Sequence, residues 1–151
     1  MTNQKAGFWV RLVAHLVDWL ILFVVFLIFE LVASSRRYVR LELDPAVLLA
    51  GFLTVVFLAS FYLILFFAYF TYFHGASGQT PGKMLFGLKV VALDGSPMGY
   101  GVSFVRALAY QASWASFGLG FLWAAFDRQK QSWHDKIAAT AVIKVEPVAK
   151  V

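Results

Sequence analysis

The first apolar stretch of the chain, residues 7–32, is long enough to cross a membrane, yet it carries three ionisable side chains on one side. Arg11, His15 and Asp18 are spaced by four and three residues, which places them on the same face of a helix. At about 1.5 Å per residue, Asp18 would lie near the middle of a hydrocarbon layer about 30 Å thick. An aspartate that faces lipid at that depth costs about 3 kcal/mol. The rest of the chain is therefore expected to cover this face.

The composition is that of a membrane protein. Of the 151 residues, 61% are hydrophobic and 14% are charged, whereas soluble domains are about half apolar and about a quarter charged. The length predicts a single domain over residues 1–151. The chain has no cysteine, which excludes disulfides and thiolate metal sites. The net charge of +5 favours contact with anionic lipid headgroups, and no nucleic-acid partner is predicted.

Three apolar regions are predicted to be membrane segments, at about 8–32, 46–73 and 102–126. The third region has two interpretations, because Gly118-Leu119-Gly120 would weaken a helix. It is either one span or a broken or re-entrant hairpin. We therefore predict an all-α membrane protein, a small helical bundle with two full spans plus a third span or broken hairpin.

Two short strands are predicted outside the membrane, at residues 88–93 and 140–145. The turn at Asp94-Gly95 bounds the first of them. If both strands lie on the cytoplasmic side they can pair, which satisfies backbone groups that neither strand can satisfy alone. The bundle is therefore expected to carry a short cytoplasmic two-strand element.

The distribution of basic residues predicts the orientation, since Lys and Arg near the ends of spans favour the cytoplasmic side. With both termini cytoplasmic, nine of the 13 Lys and Arg residues lie inside, three lie outside and Arg106 lies in the membrane. The inner set is Lys5, Arg11, Lys83, Lys89, Arg128, Lys130, Lys136, Lys144 and Lys150. A three-span topology would leave four inside and eight outside. An even number of crossings, or a re-entrant third segment, is therefore favoured.

The charged face of the first span has two interpretations. In the first, Asp18 is neutralised by Arg106 or Arg11, and this ion pair locks the bundle. In the second, Arg11, His15, Asp18 and Arg106 form a buried polar site through which a proton or a monovalent cation moves, because an acid beside a histidine inside a membrane is typical of proton relays.

The segment Gly78–Lys83 has the glycines and the lysine of a phosphate-binding loop but not their spacing. Ser77 stands where that loop needs glycine, and Met84 follows Lys83 where a hydroxyl residue would bind magnesium. We expect a tight turn at the membrane surface, with Lys83 near lipid phosphates.

The polar tail contains Asp135, which is expected to cap a turn or to pair with a base such as Lys83. The three histidines lack the spacing of metal ligands, and no catalytic set can be assembled. We therefore predict no enzyme activity, no metal and no cofactor.

Four segments of the chain form an ordered set that covers nearly its whole length. They are GFWVRLVAHLVDWLIL, GQTPGKMLFGLKVVALDG, SFVRALAY and FDRQKQSWHDKIAATAVI. This set resembles the RDD family of bacterial and archaeal membrane proteins, which is named for one arginine and two aspartates. The resemblance assigns these to Arg11, Asp18 and Asp135, and the family's later arginine to Arg106.

The resemblance also assigns a cytoplasmic-face motif to Gly78, Thr80, Gly82 and Lys83, together with Asp135 and Thr140. One departure is visible, because family members often have glycine where this chain has Ala139. This departure weakens the expectation that the turn before Thr140 needs glycine.

The resemblance implies a multi-pass protein of the cytoplasmic (inner) membrane, and it implies transport, including cation/proton exchange for some members of the family. We therefore predict a transport-related role that uses the buried Arg/Asp cluster. The alternative is a non-transporting accessory or scaffold subunit of a larger membrane complex. The expected partners are further copies of this chain or other membrane proteins. Two or three spans are few for a transporter that acts alone, so transport would need an oligomer.

Overall fold

A computed structural model describes residues 4–34 and 45–145. These residues form six helices and two strands. In chain order they are α1 (Phe8–Ser34), α2 (Pro45–Ser77), α3 (Pro81–Leu85), β1 (Leu88–Ala92), α4 (Tyr100–Ala115), α5 (Leu119–Phe126), α6 (Trp133–Ile137) and β2 (Thr140–Lys144). The arginines at positions 36, 37 and 40, which the predicted topology places outside, are not among the described residues.

Two of the described helices, α1 and α2, are long and apolar enough to cross a membrane. α2 continues to Ser77, four residues beyond the predicted end at Phe73. It ends there because Gly78 takes a left-handed conformation (φ 73°), and its N–H donates to the carbonyl of His74. Many large apolar side chains on these helices are exposed, which is the surface that a lipid environment requires.

The third apolar region is a broken hairpin and not one continuous helix. α4 ends at Ala115, and the chain reverses through Phe117 and Gly118, which both have positive φ (53° and 84°). α5 then folds back so that Gly120 lies against Ser113 of α4. With 16 residues, α4 is about 24 Å long and shorter than a full hydrocarbon crossing.

The two predicted strands form an antiparallel pair, with Val90 opposite Val142. Each strand is one residue shorter than predicted. The N-terminal segment lies along the free edge of β2. There the N–H of Ala6 donates to the carbonyl of Val142, and the N–H of Lys144 donates to the carbonyl of Gln4. The beginning of the chain and its tail therefore lie together.

Two apolar clusters pack against α1, one on each side of Asp18 along the helix. The first contains Ala14 of α1 with Leu88 and Val142 of the sheet. The second contains Leu22 of α1 with aromatic rings of α2 and α4. Asp18 lies between Ala14 and Leu22 along the helix, so a buried polar layer separates the two clusters. This polar layer is the candidate site.

Candidate functional site

Asp135 is the centre of a buried ion-pair cluster. Its Oδ2 lies 3.0 Å from a terminal nitrogen of Arg11, and its Oδ1 lies 2.5 Å from a terminal nitrogen of Arg106. The backbone N–H of Ser132 also donates to Oδ2, at 3.0 Å. The carboxylate therefore caps the first turn of α6 and binds two guanidinium groups at once.

The same two arginines reach the tail strand. Arg11 donates to the carbonyl of Val142 at 3.1 Å, and Arg106 donates to the hydroxyl of Thr140. The cluster thus joins α1, α4, α6 and β2, which are far apart in the sequence. Breaking such a buried pair from one side typically costs about 3–5 kcal/mol, because the remaining charge is left unpaired.

The cluster keeps Asp135 ionised. Burial alone would raise the pKa of this carboxyl, but the positive charges around it, above all that of Arg106, outweigh burial and hold the pKa well below its usual range. His134 next to it behaves differently. Burial lowers the pKa of His134 well below its usual value, so this ring is neutral at pH 7.

Asp18 forms a separate site that holds α3. Its Oδ1 accepts the hydroxyl of Tyr69 at 2.9 Å and the N–H of Gly82 at 2.8 Å. Its Oδ2 accepts the hydroxyl of Thr80 at 2.5 Å. The side chain is fully buried, so these three donors replace the water that the carboxylate has lost.

The segment Gly78–Lys83 is built to meet Asp18. Thr80 precedes α3 and accepts the N–H of Lys83, as an N-cap residue does. A Cβ atom on Gly82 would collide with the carbonyl of Ala14 and lie 2.8 Å from Oδ1 of Asp18. Glycine is therefore required for α3 to approach α1 this closely.

Lys83 points into the protein and not towards lipid phosphates as predicted, since only 3% of the residue is exposed. Its ammonium nitrogen lies 2.7 Å from Nε2 of His74 at the end of α2. Burial lowers the pKa of Lys83, and the nearby charge of Arg106 adds to this effect. Asp18 fixes the position of α3, and Lys83 is a residue of α3. The backbone of Lys83 is therefore fixed as well.

A cavity of about 40 Å³ lies where these groups converge. Its polar lining comes from α1, α3, α4 and the start of α6. These polar residues are Arg11, His15, Lys83, Arg106, Ser132 and His134. The aromatic rings of Tyr110 and Phe121 are also part of the wall.

His15 faces this cavity but is also part of the aromatic packing. Its Nε2 accepts the indole N–H of Trp19 at 3.1 Å, and the rings of Tyr110 and Phe121 lie about 5.2 Å from its own. Among residues 4–34 and 45–145, no group of three His, Asp or Glu side chains is placed to hold a metal ion.

Two predicted pairings are wrong. Asp18 is not neutralised by Arg11 or Arg106, because both arginines bind Asp135. Asp135 in turn does not pair with Lys83, whose partner is His74. The predicted face of α1 is correct, but seven residues separate Arg11 from Asp18 along it. This distance is about 10 Å, so the two side chains meet different neighbours.

Several site residues were not predicted from the sequence. The position of Tyr69 near the end of an apolar span favours a role in an interfacial belt, yet its hydroxyl donates to Asp18. His74 showed no ligand spacing, and its position directly after an uncharged span was the one available signal. Gln131 donates to the carbonyl of Thr140 at 2.8 Å and fixes the loop before α6, and a glutamine in a polar run gives no such indication.

The order of these charged and glycine positions along the chain can be compared with known families. The model of the RDD family matches residues 5–139, which include both charged sites and the glycine motif. The chain belongs to the RDD family. The RDD residues Arg11 and Asp135 are therefore in direct contact in this structure, whereas Asp18 accepts a hydrogen bond from Gly82 of the glycine motif.

Two relatives are similar to this chain over nearly its full length, and a third is similar over about half of it. The uncharacterized membrane protein YteJ of Bacillus subtilis is 32% identical over 95% of this chain and 83% of its own length. The protein YxaI of the same organism is 30% identical over 93% of this chain and 98% of its own. The proline-rich antigen of Mycobacterium leprae is 35% identical over 49% of this chain and 30% of its own. No solved structure matches the chain.

Proposed function

We propose that this RDD protein has a transport-related role in the cytoplasmic membrane, with the polar cavity at the inner end of α1 as its solute site. The observation that carries this proposal is the cavity itself, which is lined by charged and ionisable side chains from four separate segments. Side chains that only hold helices together do not require open space between them. A solute site does require it.

The proposed topology places both termini in the cytoplasm. It is supported by the contact between residues 4–6 and β2, since segments that pair must lie on the same side of a membrane. It is also supported by the nine basic residues on that side. The α4–α5 hairpin then enters the membrane and returns, so that α1 and α2 are the two full crossings.

The solute is proposed to include protons, as in exchange of protons for monovalent cations. Lys83 and His74 support this, because their nitrogens lie 2.7 Å apart and can share one proton. Both carboxylates of the site are already engaged, Asp18 by three hydrogen-bond donors and Asp135 by two arginines.

Ion flux in sealed liposomes tests the proposal. A pH gradient is imposed on liposomes that contain wild type, Lys83→Met or Lys144→Met. Salts that differ in their cation (sodium, potassium or lithium) and salts that supply chloride are then added in turn. Lys144 is an exposed lysine on β2, so its variant controls for the loss of one positive charge. We expect ion-dependent dissipation of the gradient in wild type and Lys144→Met, and its loss in Lys83→Met. Wild-type liposomes that behave like protein-free liposomes would contradict transport.

The second candidate function is that of a non-transporting accessory or scaffold subunit. It is favoured by the Asp135 cluster, in which one carboxylate holds α1, α4 and the tail together without any solute. Native mass spectrometry of the protein released from its membrane distinguishes the roles. The scaffold role predicts a complex with other membrane proteins, whereas transport by a chain with two crossings predicts a homo-oligomer. Anionic headgroups around the basic inner surface are expected in both cases.

A further inference from the structure

The charges around the polar cavity do not balance. Arg11, Arg106 and Lys83 all line it, and none of the described lining residues is acidic. Asp135 and Asp18 are the two carboxylates bound to the surrounding groups. With Lys83 protonated, three positive and two negative charges leave one positive charge in a buried region, and an uncompensated buried charge is unfavourable.

Hydrogen-bond donors are also left over. Within the described part of the chain, Nε of Arg11 and Nε of Arg106 are buried without an acceptor. Lys83 has three N–H donors, and its described partner is one ring nitrogen of His74. Buried donors normally have acceptors, so donors that remain unpaired beside a cavity indicate a group that occupies it.

We infer that the cavity binds a small anion, such as chloride or nitrate, held by Lys83 together with Arg11 and Arg106. One such anion supplies the missing negative charge and accepts the unpaired N–H donors. The volume also fits, since about 40 Å³ is room for roughly three waters at about 10–15 Å³ each, and therefore for one small ion. A metal cation would meet three positive side chains there and no acidic one, so the monovalent cation of the proposed exchange would bind outside this cavity.

This inference names the ligand of the proposed solute site and rests on the proposed function for its physiological role. Its test measures binding without flux. A protein that binds chloride but moves no ion would contradict transport and leave the anion site standing. A protein that moves protons or cations without binding an anion would support transport and contradict the anion site.

The experiment is thermal unfolding of the purified full chain in a neutral detergent. Sodium gluconate is replaced stepwise by sodium chloride or sodium nitrate at constant sodium concentration, so that ionic strength is fixed. Gluconate serves as an anion too large for the cavity. A ligand that binds the folded protein raises the unfolding midpoint in a saturable manner. We expect this rise for wild type and for the control Lys144→Met.

Two variants remove the site by different means. Lys83→Met removes the charge, and Ala124→Leu fills the space, since Ala124 is a buried residue of the cavity wall. We expect neither variant to show the chloride-dependent rise. Because Ala124→Leu leaves every charge in place, it remains informative if Lys83→Met does not fold. Equal midpoints of wild type in chloride, nitrate and gluconate would overturn the inference, and so would a full rise in a folded variant.

Discussion

At the scale of single residues, the two aspartates of the RDD name have different tasks. Asp135 binds Arg11 and Arg106 and keeps its negative charge because of them. Asp18 binds one backbone N–H and two hydroxyl groups, and so it positions a neighbouring segment. Asp135 therefore compensates the charge of the two arginines, and Asp18 sets the position of α3.

The lowered pKa of Asp135 predicts a loss of stability in acid. Below about pH 4, the ordinary pKa, the unfolded chain binds a proton at this carboxyl while the folded protein does not. The contribution of Asp135 is thus complete above that pH and is lost as the pH falls through the folded-state pKa. Unfolding midpoints measured from pH 6 to pH 2 should decline less steeply for Asp135→Asn than for wild type. Parallel curves would show that Asp135 is not stabilised by its arginines.

The backbone conformation of Ala139 predicts that replacing it with glycine stabilises the protein. Its φ of 51° lies in the left-handed region, which costs an L-residue about 1–2 kcal/mol. The turn before Thr140 therefore does favour glycine, contrary to the expectation drawn from the alanine in this chain. Ala139→Gly should stabilise the protein by about 1 kcal/mol, measured by chemical unfolding. Ala138→Gly is the control and should give no gain, because Ala138 has φ −87°.

At the scale of elements, the helices and strands that could be predicted are the ones with a strong local sequence pattern. The two long apolar helices and the two strands with their pairing follow from hydrophobic length and from turn residues. The choice between a third span and a hairpin could not be made, since it depends on Phe117, a bulky residue with positive φ. The short helix α3 was read as a surface turn because its burial depends on contacts with α1.

The charged site was predicted in composition but not in pairing. Helical spacing places Arg11, His15 and Asp18 on one face, and in the structure His15 and Asp18 are buried and Arg11 is partly buried. Helical spacing within α1 cannot show which of the two aspartates contacts the arginines. The contact with Asp135 depends on how the turns around α6 fold back against α1 and α4. Pairings between segments more than 100 residues apart leave no periodic signal in one sequence.

Gly82→Ala tests the contact between α3 and α1. The added methyl group would collide with the backbone carbonyl of Ala14, which cannot move aside easily. Overpacking of this kind typically costs about 1–3 kcal/mol, so the unfolding midpoint should fall clearly. Gly101→Ala on α4 is the matched control, since nothing lies within 4 Å of its added Cβ. Equal midpoints for the two variants would mean that α3 does not lie against α1.

At the scale of the whole molecule, the chain closes on itself at one end. Residues 4–6 pair with β2, and the Asp135 cluster lies directly beneath this sheet. Further along α1, aromatic rings pack against the middle of α2, as in the stacked pair Phe29 and Phe61. The described residues therefore have polar, tightly bonded contacts where α1 begins and apolar contacts between α1 and α2 further along.

Cysteine labelling tests this polarity, and the natural chain has no cysteine that would interfere. Lys5 and Lys144 are exposed at the closed end, and Val32 is exposed near the far end of α1. In inside-out vesicles, an impermeant maleimide should label Lys5→Cys and Lys144→Cys. It should label Val32→Cys in right-side-out vesicles instead. Opposite labelling of Lys5→Cys and Lys144→Cys would exclude the contact between the N-terminal segment and β2.

The central claim is that Asp135, and not Asp18, is the partner of Arg106. A double-mutant cycle on unfolding free energy measures this pairing directly. Arg106→Met is combined once with Asp135→Asn and once with Asp18→Asn. We expect the Arg106 and Asp135 losses, about 3–5 kcal/mol each, to be strongly non-additive, because either change alone breaks the same pair. The losses for Arg106 and Asp18 should be much closer to additive. A larger coupling between Arg106 and Asp18 than between Arg106 and Asp135 would contradict the account.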